Sequence, residues 1–146
     1  MTLQPLYTDE REPSRPQIVL LVEDEPFVRE ATRKILESAG FEVLPAADAA
    51  DALRVFEQAN RRIDLVMTDL VLPDRDGQQL GQELCRRSPG VKVLVTSGYC
   101  QVGQAMGELH SQTHFLAKPY SRKGLVEKIR EIFAVAPLCH AAGQTG

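Results

Sequence analysis

“VMTDLVLPDRDG” (residues 66–77) carries three aspartates, Asp69, Asp74 and Asp76, with one proline and a closing glycine. The residues leading into it, “IDLVMT” (63–68), are almost continuously apolar. Such a run suits a strand buried on both faces, the kind found in parallel sheets covered by helices. Asp69 therefore falls where a buried strand ends. Asp74 and Asp76 fall in the loop that follows, between Pro73 and the turn residue Gly77.

The same architecture repeats along the chain. “IVLLV” (18–22), “FEVLPA” (41–46), “VKVLVT” (91–96) and “THFLA” (113–117) are four more strand candidates. Between them lie segments of helical spacing. Val28, Ala31, Ile35 and Ala39 define one apolar face, and Gly40 stops that helix. Asp48 caps a second helix with Ala52, Val55, Phe56 and Ala59 on one side. “QQLGQELCRR” reads as a third. “QVGQAMGELH” (101–110) is a weak fourth, since Gly103 and Gly107 each cost about 1 kcal/mol against alanine. Ser121 caps a fifth, with Leu125, Ile129 and Ile132 along its stripe. Strands alternating with helices make βαβ units, an α/β fold with a parallel sheet. Right-handed crossovers leave the doubly wound five-stranded order 2-1-3-4-5, flavodoxin-like, as the compact choice. The expected division is a flexible arm at 1–16, one folded domain at 17–134 and a flexible tail at 135–146.

Bulk properties narrow the function. The 146 residues make one domain, and 43% apolar content supplies a core. A net charge of -3 argues against direct nucleic-acid binding, which favours a basic excess. No apolar run is long enough to cross a bilayer, so no membrane partner is expected. Cys85, Cys100 and Cys139 are isolated and form no CxxC pair, which fits a reducing, cytoplasmic setting better than a disulfide or zinc framework.

The polar residues are less evenly spread than these averages suggest. “EDE” (23–25) follows the first strand and Asp69 the third, Thr96-Ser97-Gly98 ends the fourth, and Lys118-Pro119 ends the fifth. In a doubly wound sheet all of these lie at one edge, the carboxyl ends of the strands, where sites form. Clustered carboxylates from Glu23, Asp24 and Asp69 invite a hard cation such as Mg2+. One carboxylate can act as a nucleophile toward phosphorus. The Lys118 ammonium and the Ser97 hydroxyl can stabilise phosphoryl oxygens. Two other readings of the aspartates fail. A calcium loop built on Asp74, Asp76, Gly77 and Glu83 would place Leu72 at its first ligand position. “DRDG” resembles the nucleophile motif of haloacid-dehalogenase-type phosphatases, but Pro73 separates it from the buried strand.

“LVEDE” (21–25), “MTDLVLPDRDG” (67–77), “VTSGY” (95–99) and “FLAKPY” (115–120), in this order and at strand ends, resemble the receiver domains of two-component response regulators. The resemblance runs from about residue 17 to residue 133. It implies a (βα)5 receiver fold with Asp69 as phosphoacceptor and Mg2+ as cofactor. Glu23, Asp24, Asp69 and the backbone carbonyl of Val71 would hold the metal. Ser97 would be the switch hydroxyl, Phe115 the switch aromatic and Lys118 the conserved-type lysine, with a cis Lys118–Pro119 bond. Thr96, one place early, would face inward. The implied partners are a histidine kinase or histidine phosphotransfer protein and a downstream protein at the face of the fourth helix, fifth strand and fifth helix (α4-β5-α5 in the family's labels). A phosphorylation-dependent dimer is left open. Such a domain is not a turnover enzyme. No helix-turn-helix or catalytic segment is legible after residue 133, so a stand-alone regulator or the receiver of a hybrid kinase is expected. The rival reading is a pseudo-receiver, a fold kept for protein binding and never phosphorylated.

Overall fold

The computed structural model describes residues 15–60, 62–98 and 113–134. Strand β1 (Ile18–Val22) leads to helix α1 (Pro26–Ser38), β2 (Glu42–Ala46), α2 (Ala49–Gln58), β3 (Leu65–Asp69), α3 (Gly77–Arg87), β4 (Lys92–Gly98), β5 (Thr113–Lys118) and α4 (Arg122–Ala134). The five strands form one parallel sheet in the order β2-β1-β3-β4-β5. This is the doubly wound order expected from the alternation of elements. The fifth expected helix is α4 in this numbering. The weak helix expected at 101–110, the tail expected at 135–146 and the expected arm up to residue 14 lie outside the described residues; Arg15, at the end of that arm, is ion-paired to Asp64 at 3.2 Å.

Two cores explain why the strands read as unbroken apolar runs. On one face Leu20 and Val66 pack with Phe56 of α2 and with Leu80 and Leu84 of α3. On the other, Leu21, Met67 and Leu94 pack with Leu36 of α1 and with Leu125, Ile129 and Ile132 of α4. Alternate side chains of one strand thus enter different cores, so both faces of the sheet call for apolar residues along most of each strand. Each fully buried Leu or Ile contributes about 1.5–3 kcal/mol to holding the helices on the sheet.

The helix boundaries have local causes. Pro26 opens α1, where its missing N–H costs nothing. Gly40, at φ 101°, takes the left-handed turn after it. Asp48 caps α2 by accepting from the Asp51 amide at 2.8 Å, and Ser121 Oγ accepts from the Gly124 amide at 2.9 Å at the start of α4. Asp76, expected only as a loop residue, is the cap of α3: its carboxylate accepts from the Gln78 amide at 2.6 Å and the Gln79 amide at 3.2 Å. Strand β3 begins two residues later than the apolar run. Asp64 there uses its carboxylate to accept from the Ile18 amide at 2.7 Å, a side-chain bond added to the backbone bonds its amide and carbonyl make to Ile18 and Lys92.

Candidate functional site

The strand order brings the ends of β1, β3 and β5 to one edge of the sheet. Asp69 is the last residue of β3, and Glu23 and Asp24 follow β1 directly. Their carboxylate oxygens lie within 4.8 Å of one another. Glu23 and Asp69 are buried, while Asp24 is exposed. Lys118, the last residue of β5, places Nζ 2.6 Å from Asp69 Oδ1 and 3.5 Å from Glu23 Oε1. The Lys118–Pro119 bond is cis.

Backbone contacts fix these side chains. The Glu23 amide donates to the Ala46 carbonyl at 3.0 Å, which ties the start of the β1–α1 loop to β2. Arg29 of α1 donates to the Glu23 carbonyl at 2.7 Å, and the Glu25 amide donates to Glu23 Oε2 at 3.1 Å. Beyond β3, the Leu70 amide donates to the Thr96 carbonyl at 2.8 Å and the Gly77 amide to the Leu70 carbonyl at 2.6 Å. The Thr68 hydroxyl donates to the carbonyl of Asp69 at 2.9 Å. Asp69 is thereby held at the junction of β3, β4 and α3.

The two hydroxyls at the end of β4 behave differently. Thr96 is buried, as expected, yet its Oγ1 donates to Asp69 Oδ1 at 3.2 Å. Sequence reading assigned it no role. Ser97 is also buried, and its hydroxyl donates to the Gly98 carbonyl at 3.2 Å. The cause is register: Asp69 pairs with Thr96 across the β3–β4 ladder, so both side chains leave the same face. Phe115 lies half-buried on β5, and Val71 is 60% exposed in the loop after Asp69.

Three carboxylates face one ammonium, so the cluster carries excess negative charge in a largely dry place. Burial pushes the Glu23 carboxyl up to about 7; the Glu25 amide opposes the rise, and the Asp69 charge adds to it. Burial alone would lower the Lys118 ammonium, but the hydrogen bond and charge of Asp69, with Glu23, hold it above the usual lysine range. The donor set is all oxygen and its charge is unbalanced, which fits a hard divalent cation of the Mg2+ kind.

A pH dependence follows from Glu23. Its folded-state value of about 7 exceeds the ordinary 4.5, so folding favours the protonated acid. That contribution is complete below about pH 4.5 and is lost as pH rises toward 7. Metal-free wild-type protein should therefore lose thermal stability across this window relative to Glu23→Gln. Parallel melting temperatures for the two proteins from pH 4.5 to 7 would contradict the assignment.

Residues 19–130 match the response regulator receiver domain family. The chain belongs to that family. Over 115 residues, this receiver is 36% identical to the sensor kinase CckA of Brucella abortus, a match covering 78% of this chain and 12% of the kinase. It is 31% identical over 114 residues to the sensory transduction protein RegX3 of Mycolicibacterium smegmatis, covering 78% of this chain and 49% of that protein. The chain thus spans half or less of the length of these curated relatives. Among solved structures it is similar to a CheY-like receiver domain protein of Methanospirillum hungatei JF-1. That match has a TM-score of 0.71 and 31% identity, over 80% of this chain and 92% of that one. The receiver's acidic cluster sits beside the β1–β3 switch point, where doubly wound sheets place their sites. Among the described residues no helix is long and apolar enough to cross a membrane.

Proposed function

We propose that this receiver accepts a phosphoryl group on Asp69 from a histidine kinase or histidine phosphotransfer protein, with Mg2+ as cofactor. The observation that carries the reading is the position of Asp69: buried, 2.6 Å from the Lys118 ammonium, and within 4.8 Å of the Glu23 and Asp24 oxygens. An Asp69 carboxylate oxygen attacks phosphorus. The P–N bond of the donor phosphohistidine breaks, and its electron pair returns to the imidazole. Glu23, Asp24, Asp69 and the Val71 carbonyl are the residues that would hold Mg2+, which when bound neutralises charge on the transferring oxygens. Lys118 supplies the fixed cation on the other side. The hydroxyl of Ser97 then turns toward the phosphoryl group, and Phe115 moves into the space released. The face carrying β5 and α4 changes its affinity for a downstream protein.

A pseudo-receiver would have no reason to keep Lys118 aimed at Asp69 inside an acidic cluster, so phosphoryl acceptance is the better reading. The test is a small-molecule phosphodonor, acetyl phosphate, with Mg2+, read by intact-protein mass spectrometry. A phosphoryl adduct that forms with Mg2+ and is suppressed by a chelator is expected. An unmodified wild-type chain in the presence of Mg2+ would overturn the proposal.

The exposed side chain of Val71 bears on the lifetime of the adduct. An apolar group there cannot orient an attacking water. Val71→Asn should hydrolyse its phosphoryl group no more slowly than wild type. A distinctly longer adduct half-life in the variant would contradict this.

A further inference from the structure

Three carboxylates gather at the N-terminus of helix α2: its cap Asp48, Asp51 of its first turn, which accepts from the Ala47 amide at 3.1 Å, and Asp74, which comes from a distant loop. Asp48 accepts from the Asp51 amide at 2.8 Å. The amides of Ala49 and Ala50, which have no partner within the helix, donate instead to Asp74: Ala49 to Oδ1 at 3.0 Å and Ala50 to Oδ2 at 3.0 Å. Both oxygens of one side chain are thus engaged by successive amides of a distant element. Asp74 belongs to the loop at 70–76, immediately after Asp69. Apart from the Leu70 amide, which donates to the Thr96 carbonyl of β4, the other hydrogen bonds of that loop close on itself and onto α3. Val71 and Asp76 form an antiparallel bridge, the Leu72 amide donates to the Arg75 carbonyl at 3.2 Å, and Asp76 caps α3. Leu72 is buried in the core between α2 and α3, so the loop is pinned from below by an apolar anchor and at its tip by a carboxylate.

We infer that Asp74 is a positioning residue: by clamping the tip of the 70–76 loop to the N-terminus of α2, it holds the Val71 backbone where a metal ligand is needed. The inference rests on the reading of the acidic cluster as a Mg2+ site. A side chain that merely stabilised α2 would be equivalent to Asp48, which caps the same helix without touching the loop. The two carboxylates therefore make a controlled comparison. Arg75, the next residue, is ion-paired to Glu83 of α3 at 2.8 Å and has no bond to α2.

The experiment measures Mg2+ affinity by isothermal titration calorimetry on the wild-type chain and on Asp74→Ala, Asp74→Asn, Asp48→Ala and Arg75→Ala, with a metal-free melting curve for each. Asp74→Ala should weaken Mg2+ binding about tenfold, in the range seen when supporting residues of metal sites are removed. Asp74→Asn, which keeps one acceptor oxygen, should fall between Asp74→Ala and wild type. Asp48→Ala should lower the melting temperature with Mg2+ affinity changed less than about twofold, and Arg75→Ala should leave affinity unchanged. Wild-type affinity in both Asp74 variants would overturn the inference. So would equal weakening in Asp48→Ala, which would make the effect one of helix stability. A wild-type chain that binds no Mg2+ would remove the metal-site reading itself, a result distinct from either.

Discussion

Asp69→Asn abolishes phosphoryl acceptance, lowering adduct formation by at least about a thousandfold, the scale on which enzymes lose rate when their nucleophile is removed. The substitution preserves shape. An asparagine carbonyl still accepts from Lys118 Nζ and Thr96 Oγ1, which in the native protein lie 2.6 Å and 3.2 Å from Oδ1. The neutral amide lacks the carboxylate's nucleophilicity and one unit of charge. Loss of activity with an unchanged fold therefore isolates the chemistry from the packing. The measurement is intact mass after acetyl phosphate and Mg2+, alongside a melting curve. An adduct of undiminished yield in Asp69→Asn would move the phosphoacceptor elsewhere and dismantle the proposed mechanism.

Gly77→Ala damages the same site through the backbone. A Cβ at Gly77 would stand 1.9 Å from the carbonyl oxygen of Asp69, 2.9 Å from its carbonyl carbon and 3.0 Å from Thr68 Oγ1. Two of those atoms belong to the main chain of the proposed phosphoacceptor, so no rotamer change relieves the clash. Either the start of α3 lifts from the sheet or the end of β3 bends. Overpacking of this kind costs about 1–3 kcal/mol and occasionally more. The melting temperature should fall by roughly 5–15 °C. Phosphoryl acceptance should fall about a hundredfold, because a displacement of order 1 Å at a reacting group has that effect. A Gly77→Ala protein with wild-type melting temperature and phosphorylation rate would show that α3 is free to shift.

The glycine illustrates what a sequence motif leaves open. Read along the chain, Gly77 looks like a residue chosen for its backbone freedom. In the structure what matters is space: no positive φ is recorded there, and the absent Cβ lets α3 start against the Asp69 carbonyl. Asp76 and Asp74 carry the same lesson. Both are legible as loop residues, yet one caps the helix that follows and the other caps a helix that ends well before the loop begins. A local cap such as Asp48 can be found from its position before an apolar-periodic segment. A cap supplied from a residue 25 positions away cannot.

Burial on both faces of a sheet demands unbroken apolar runs, and helices that cover it demand a three-to-four-residue stripe. The runs at β1, β3 and β4 and the stripes of α1, α2 and α4 were therefore visible in the order of the residues, and with them the parallel, doubly wound sheet. The resemblance at the four strand ends named Glu23, Asp24, Asp69 and Lys118, and topology alone explains why they converge. Three things depended on distances between elements. The β3–β4 register decided that the Thr96 hydroxyl reaches Asp69, because a slip of one residue sends every side chain to the other face. Desolvation beside a like charge decided the raised Glu23 carboxyl. The packing of one loop against α2 decided the partner of Asp74. Periodicity is a property of neighbours in the chain. Register, desolvation and cross-element hydrogen bonds are properties of neighbours in space, and they exist only once the sheet has closed around them.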